Sequence, residues 1–207
     1  MKTVILVRHG ETTWNREGRI QGNRDIELSS EGRVQTSRLV DHLCSLDIDS
    51  VLSSPLLRAR AIAEPVSRTL GIPLIELPQL CERRFGIWEG LTLQEVAVQF
   101  PETAVAQRDS PFARPEGGES VADVLERALF VRRYVEGQSA VTTLVVAHGA
   151  FNCIFMTALL GLPVASHKDF GQANGNVSVI GLIEGSWRIE LLNSTCHLGF
   201  DAGVSLS

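Results

Sequence analysis

Short apolar runs and longer segments of helical period alternate along the chain. Runs rich in β-branched residues predict strands at residues 3–7, 50–53, 74–77 and 142–147. Apolar residues at helical spacing predict helices over about 30–46, 56–70, 92–100, 120–135 and 149–160. Segments 177–183 and 187–192, joined by Glu184-Gly185-Ser186, predict a hairpin. Strands that alternate with helices favour an α/β protein with a largely parallel sheet, covered on both faces, and an antiparallel edge.

Two segments give no periodic signal. Residues 11–23 are polar and predict a loop. Residues 101–118 contain three prolines and two adjacent glycines, and predict a longer loop that would act as a lid or substrate wall.

Length and composition indicate an ordinary globular domain. The 207 residues suit a single domain over 1–207, and the contents of 44% hydrophobic and 21% charged residues are typical of soluble proteins. A net charge of −5 with no basic stripe argues against a nucleic-acid partner. The longest apolar stretch, 150–165, is broken by Asn152, Gly161 and Pro163, so no membrane span is expected. We expect no signal peptide and a cytoplasmic location.

The four cysteines, Cys44, Cys81, Cys153 and Cys196, lie far apart in the sequence. Their spacing contains no C-x-x-C pair, which argues against a disulfide framework and against a cysteine zinc site.

Candidate chemistry begins where the first strand ends, at Arg8-His9. Ligands of open α/β sheets bind beyond the carboxyl ends of strands. Arginine offers a planar fork of donors that matches phosphate oxygens, and a neutral histidine can attack phosphorus or carry protons. A strand that ends in an ordinary polar loop explains Arg8-His9 equally well when the pair is taken alone.

A second apolar strand delivers another histidine, His148, before another helix. If the two strands are neighbours, His9 and His148 face one pocket. Arg58 lies in the first turn of a predicted helix, where backbone N–H groups also attract anions. Taken singly, Arg58 reads as a solvated helix residue; together the three favour a phosphate site.

Seven motifs in this chain occur in the order typical of one family. They are Arg8-His9-Gly10-Glu11-Thr12 with Asn15, Gln21-Gly22, and the segments 28–32, 54–59, 82–90, 117–120 and 147–149. The chain therefore resembles the histidine phosphatase superfamily, also called the phosphoglycerate mutase-like family, over nearly its whole length. The resemblance implies a three-layer α/β/α sandwich and a phosphohistidine mechanism that needs neither metal nor cofactor.

The resemblance also implies a role for each site residue. His9 is the nucleophile, Arg8, Arg58 and His148 clamp the phosphoryl group, and Glu82 protonates the leaving group and then activates water. Asn15, Gln21, Gly149, Arg83 and His197 are expected to bind phosphate or substrate. His9 must be neutral at the attacking nitrogen, so its other ring N–H should bind a backbone carbonyl.

The segment before Gly117 favours a hydrolase over a mutase. A mutase must retain a second anionic group, yet residues 92–115 hold only Arg108 and Arg114 as cations. The segments 169–174 and 193–199 resemble metal-independent phosphoserine phosphatases, so L-phosphoserine is one expected substrate. A sugar-acid phosphate such as 2-carboxyarabinitol phosphate, α-ribazole phosphate, and phosphoglycerate mutase activity remain alternatives.

Two other classes of protein are weighed against the histidine phosphatase interpretation. Asp47-Ile48-Asp49 superficially matches the D-x-D of magnesium-dependent haloacid dehalogenase-type phosphatases, but it precedes a strand instead of following one. A phospho-ligand binding module that kept the pocket would bind without turnover. The expected partner is a small phosphate ester, and the edge hairpin is compatible with a homodimer.

Overall fold

A six-stranded sheet forms the centre of the computed structural model, which describes residues 2–199. The strands are β1 (Lys2–Arg8), β2 (Ser50–Ser53), β3 (Leu74–Glu76), β4 (Thr142–Ala147), β5 (Val177–Ile183) and β6 (Ser186–Ser194). Their order is β3-β2-β4-β1-β5-β6. The first four strands in this order are mutually parallel, and β5 and β6 add an antiparallel edge. The predicted α/β class, parallel sheet and antiparallel hairpin are confirmed.

Seven α-helices connect the strands within the described residues. They are α1 (Thr13–Arg16), α2 (Ser30–Leu43), α3 (Leu57–Leu70), α4 (Leu93–Gln99), α5 (Pro101–Asp109), α6 (Val121–Gly137) and α7 (Gly149–Leu160). Ser29, Thr92 and Ser120 cap α2, α4 and α6, since each hydroxyl accepts a hydrogen bond from the backbone N–H three residues later. No helix in the described part of the chain combines the length and hydropathy that a bilayer span requires.

Two apolar cores lie on opposite faces of the sheet. Along β1, Val4 and Leu6 face α6 and α7, whereas Ile5 and Val7 face α2 and α3. This alternation follows from the two-residue period of a strand, and fully apolar strands are what a sheet covered on both faces requires. The three-layer α/β/α sandwich is therefore present.

The structure corrects the sequence predictions in three places. The predicted loop 101–118 contains α5, because Pro101 stands at the first helical position, where its missing N–H costs nothing. The polar segment 11–23 holds the short helix α1, and α2 ends at Leu43 instead of near residue 46.

A glycine lets α2 approach the loop after β1. A Cβ atom on Gly32 would lie 1.8 Å from the carbonyl oxygen of Glu11, so no larger residue fits. The first turn of α2 is thus packed directly against the backbone of His9-Gly10-Glu11, which fixes the position of that loop.

Candidate active site

Three neighbouring parallel strands bring the candidate residues together. Because β2, β4 and β1 are adjacent and parallel, their carboxyl ends meet at one edge of the sheet. Ser54, His148 and His9 follow these three ends. The ring centroids of His9 and His148 lie 5.2 Å apart, with an interplanar angle of 56°. Both side chains are buried, so the structure brings the two imidazoles together at this edge of the sheet.

His9 is fixed in one tautomer by its neighbour. Its Nδ1 lies 2.8 Å from the carbonyl oxygen of Gly10, so Nδ1 carries the proton and donates it. The other ring nitrogen, Nε2, then presents a lone pair, which accepts from Nε of Arg58 at 3.3 Å. Burial lowers the pKa of His9 well below its ordinary value, and Arg58 and Arg8 lower that pKa further. His9 is therefore neutral at neutral pH, as a nucleophile must be.

His148 is also held neutral. Burial, followed by the charge of Arg58, lowers the pKa of the His148 imidazole well below its ordinary value. Its Nε2 lies 2.8 Å from Oγ of Ser54. Its Nδ1 is buried and has no hydrogen-bond partner within the described residues. Among residues 2–199, Nδ1 is thus the ring nitrogen that no protein group engages.

Arg58 lies in the first turn of α3 and is almost fully buried. Its Nη1 donates to the carbonyl oxygen of Arg24 at 2.7 Å, and its Nη2 donates to that of Gly22 at 2.8 Å. Burial lowers the pKa of Arg58, and the nearby carboxylates of Glu82 and Asp25 offset part of that effect. Carbonyl dipoles orient the guanidinium without neutralising it.

Arg8 stands at the end of β1, on the other side of His9. Its Nη1 donates to the carbonyl oxygen of Gln172. Its Nε is buried and has no partner among residues 2–199. A buried donor without an acceptor is costly, and a bound anion would satisfy it.

Glu82 is bound by backbone N–H groups at the start of α7. Its carboxylate accepts from Ala150 N at 3.1 Å and from Phe151 N at 2.9 Å, and also from Arg83 N at 2.8 Å. The charge of Glu82 raises the pKa values of both Arg8 and Arg58 against the larger lowering by burial. Glu82 is therefore close to both guanidinium groups.

A cavity of about 340 Å³ opens over these side chains. Seven predicted site residues line it, namely Arg8, His9, Asn15, Gln21, Arg58, Glu82 and Gly149. Asn15 accepts from Nδ2 of Asn174 at 3.1 Å through its Oδ1, which leaves its own amide N–H groups for the cavity. The cavity wall also includes Ile20, Phe85, Cys153 and Gln172, to which the sequence analysis assigned no role. Across residues 2–199, no three His, Cys, Asp or Glu side chains are grouped so as to hold a metal ion.

Three predicted site residues do not line this cavity, namely His148, Arg83 and His197. His148 is fully buried beside His9, whereas Arg83 and His197 bond to groups elsewhere. The guanidinium of Arg83 donates to the carbonyl oxygen of Glu119 at 2.9 Å and to Oε1 of Gln107. His197 stacks on His42, with ring centroids 5.0 Å apart, and its Nε2 lies 2.9 Å from the carbonyl oxygen of Gly175. Hydrogen bonds to nearby backbone carbonyls thus direct both side chains away from the phosphate site.

Arg127 is a supporting residue that sequence reasoning missed. From the middle of α6 it donates to the carbonyl oxygens of Gln79, Cys81 and Glu82, at 2.7, 2.8 and 3.1 Å. It also pairs with Glu119 at 3.0 Å. Arg127 therefore holds the segment that carries Glu82. Its place on an amphipathic helix gave no signal of this role, although Glu119 belongs to the motif at 117–120.

The chain is similar to known proteins over nearly its whole length. The model of the histidine phosphatase superfamily (branch 1) matches residues 4–195. The chain belongs to this superfamily. Phosphoserine phosphatase 1 of Hydrogenobacter thermophilus is 34% identical over 201 residues, 96% of this chain and 95% of the relative. The metal-independent phosphoserine phosphatase of Arabidopsis thaliana is 31% identical over 201 residues, 94% of this chain and 82% of the relative.

Solved structures agree with the family assignment. Bacillus stearothermophilus YhfR superposes with a TM-score of 0.85 at 30% identity, over 96% of this chain and all of that one (100%). The phosphoglycerate mutase-like architecture implied by the motifs is thereby confirmed.

The lowered pKa values of the two buried histidines predict a pH dependence. We expect His9 and His148 to remain neutral as the pH falls from about 8 to about 6.5, the ordinary value. Below about pH 6.5, His9 and His148 bind protons in the unfolded chain but stay neutral in the folded chain. The free energy of unfolding should therefore fall as the pH decreases. Side-chain ¹H–¹⁵N NMR measures the protonation state of each histidine ring, and denaturant titrations measure the free energy of unfolding at each pH.

Substitutions of Arg58 provide the control for that titration. Arg58→Gln removes a charge that lowers the pKa of His9 and should move its titration upward, whereas Arg58→Lys keeps the charge and should not. A His9 ring that titrates near pH 6.5 in the unsubstituted protein would contradict the prediction.

Proposed function

We propose that this protein is a metal-independent phosphomonoester hydrolase that transfers the phosphoryl group of a small metabolite first to His9 and then to water. The observation that carries the proposal is the neutral Nε2 of His9 in a cavity shared with Arg8, Arg58 and Glu82. Nε2 is the nucleophilic atom, and Arg8 and Arg58 line the same cavity, where they can bind the phosphoryl oxygens during attack.

In the first step, the phosphoryl oxygens take hydrogen bonds from the free Nε of Arg8, from Arg58 and from Nδ1 of His148. Nε2 of His9 attacks phosphorus, and the bond from phosphorus to the ester oxygen breaks. Glu82 enters this step protonated and delivers that proton to the departing alkoxide from the opposite side, since displacement is in line. It is left as a carboxylate. The products are phosphohistidine and the alcohol.

In the second step, the Glu82 carboxylate accepts a proton from water. The resulting hydroxide attacks phosphorus, the P–N bond breaks, and inorganic phosphate leaves. His9 returns to its neutral state. The two guanidinium groups supply the positive charge that a metal ion provides in other phosphatases.

The position of two arginines supports hydrolysis over a mutase reaction. Arg108 is exposed and bonds Asp109 at 3.0 Å, and Arg114 is exposed and pairs with Asp123 at 3.4 Å. Neither lines the cavity. A mutase needs a second anion-binding group beside the phosphate site, and these two cations do not provide it. Arg19 does line the cavity, but Glu17 and Glu95 already pair with it at 2.9 and 3.2 Å.

For the substrate, we propose a small phosphorylated metabolite, with L-phosphoserine as the first candidate because of the similarity to phosphoserine phosphatases. In a hydrolysis screen of L-phosphoserine, 3-phosphoglycerate, α-ribazole phosphate and 2-carboxyarabinitol phosphate, we expect phosphate release that persists in EDTA. Phosphate release that depends on added magnesium would contradict the metal-free mechanism. Conversion of 3-phosphoglycerate to its isomer with added 2,3-bisphosphoglycerate would favour the mutase.

His9→Ala tests the nucleophile. We expect it to lower kcat by at least about a thousandfold, because the covalent path is lost. Acid quenching of the unsubstituted enzyme with ³²P-labelled substrate should trap an acid-labile phosphoprotein that is absent from the variant. His167→Ala, outside the cavity, serves as the control with full activity. Turnover by His9→Ala near the unsubstituted rate would refute the mechanism, whereas phosphate binding without any turnover by either form would indicate a binding module.

Glu82→Gln tests the proton donor. The amide keeps the shape of the carboxyl group but supplies no proton. We therefore expect the single-turnover rate of alcohol release in the first step to fall by about 100-fold or more for alkyl phosphates, and much less for p-nitrophenyl phosphate, whose leaving group departs without a proton. An equal loss for both leaving groups would assign Glu82 a role other than general acid.

A further inference from the structure

Ser54 lies where β2 ends, buried beside the catalytic histidine pair. Its Oγ is 2.8 Å from Nε2 of His148 and 3.9 Å from Sγ of Cys81. It also accepts from the backbone N–H of Leu56 at 3.3 Å. These three contacts decide where the hydroxyl proton points.

The hydroxyl has one proton and two acceptor sites. The N–H of Leu56 occupies one acceptor site. Burial raises the pKa of the Cys81 thiol, so the thiol keeps its proton and sulfur is a weak acceptor. The ring nitrogen of His148 is the stronger acceptor and the shorter contact. Acceptor strength and distance therefore favour donation from the Ser54 hydroxyl to Nε2 of His148 over donation to Sγ of Cys81.

We propose that Ser54 is a positioning residue that holds His148 as the Nδ1–H tautomer and thereby turns its free ring N–H into a donor for a phosphoryl oxygen. The proposal rests on the phosphatase function proposed above and refines it. A neutral imidazole carries a single N–H, so a proton accepted at Nε2 requires the ring's own proton at Nδ1. Nδ1 is the buried nitrogen that lacks a partner among the described residues.

Both histidines are then Nδ1–H tautomers, but His9 offers its Nε2 lone pair and His148 offers its Nδ1–H. In His9, the carbonyl of Gly10 engages the Nδ1–H and leaves the Nε2 lone pair to attack phosphorus. In His148, Ser54 engages the Nε2 lone pair and leaves the Nδ1–H to bind the phosphoryl group. Without the hydroxyl, the proton of His148 can move to Nε2, and Nδ1 would then present a lone pair to an anion.

Ser54→Ala is the primary test, read by long-range ¹H–¹⁵N NMR of the histidine rings. The unsubstituted protein should show His148 protonated at Nδ1, and the variant should lose that fixed state. Calorimetric titration with inorganic phosphate should give a Kd raised about tenfold. In the enzymatic assay, we expect kcat to fall by about 10- to 100-fold and KM to rise, because the lost donor binds the phosphoryl group in the ground state and more strongly in the transition state.

Two matched variants separate positioning from structure. Ser54→Thr retains the hydroxyl and should restore the tautomer and most of the phosphate affinity. Ser53→Ala removes the neighbouring buried hydroxyl, which donates to the carbonyl of Ser54, and should leave the His148 ring unchanged. Unfolding temperatures show that each variant is folded.

Several results would overturn the proposal. They are an Nε2–H tautomer of His148 in the unsubstituted protein, a Ser54→Ala variant with unchanged tautomer and phosphate Kd, or a folded Ser54→Thr variant that behaves like Ser54→Ala. If Ser54→Ala does not fold, the tautomer of the unsubstituted protein decides alone. Failure to hydrolyse any phosphomonoester would instead refute the proposed function, while the NMR and phosphate titrations would still test Ser54.

Discussion

The rest of this site depends on one constraint, which is that two imidazoles stay neutral beside buried guanidinium groups. His9 needs a lone pair on Nε2, and protonation there would create a cation against Arg8 and Arg58 in a medium of low dielectric. Burial and these charges both oppose it, which is why the pKa of His9 is depressed. The same forces act on His148. The candidate site thus holds two neutral imidazoles beside two charged guanidinium groups.

The partners of the two arginines explain how positive charge is kept available. Arg58 is held by the carbonyl oxygens of Gly22 and Arg24, and Arg8 by that of Gln172. Carbonyl dipoles fix the direction of a guanidinium while leaving its charge for the phosphate. Glu82 is held in the reverse way, by N–H groups at the start of α7. Backbone dipoles therefore orient all three charged groups, so little reorganisation is needed during phosphoryl transfer.

A second layer of contacts supports this arrangement. Arg127 binds the carbonyl oxygens of the segment that carries Glu82, and Asn174 donates to both the carbonyl oxygen of His9 and Oδ1 of Asn15. Both residues act through the positions of others, at separations of 45 to 165 residues along the chain. Their substitution would loosen the site without removing any group that touches the phosphate.

By itself, the sequence determined the strand runs, the serine and threonine helix caps, and the two histidines at strand ends, because periodicity and capping are local. Only tertiary structure decided which polar side chains reach the cavity. Arg58 and Arg83 both belong to motifs that place them at the site, yet the Arg83 side chain bonds to Gln107 on α5, in a segment whose prolines predicted a loop. A side chain's direction depends on which distant carbonyls and amides packing brings within hydrogen-bond reach, and residue spacing does not encode that.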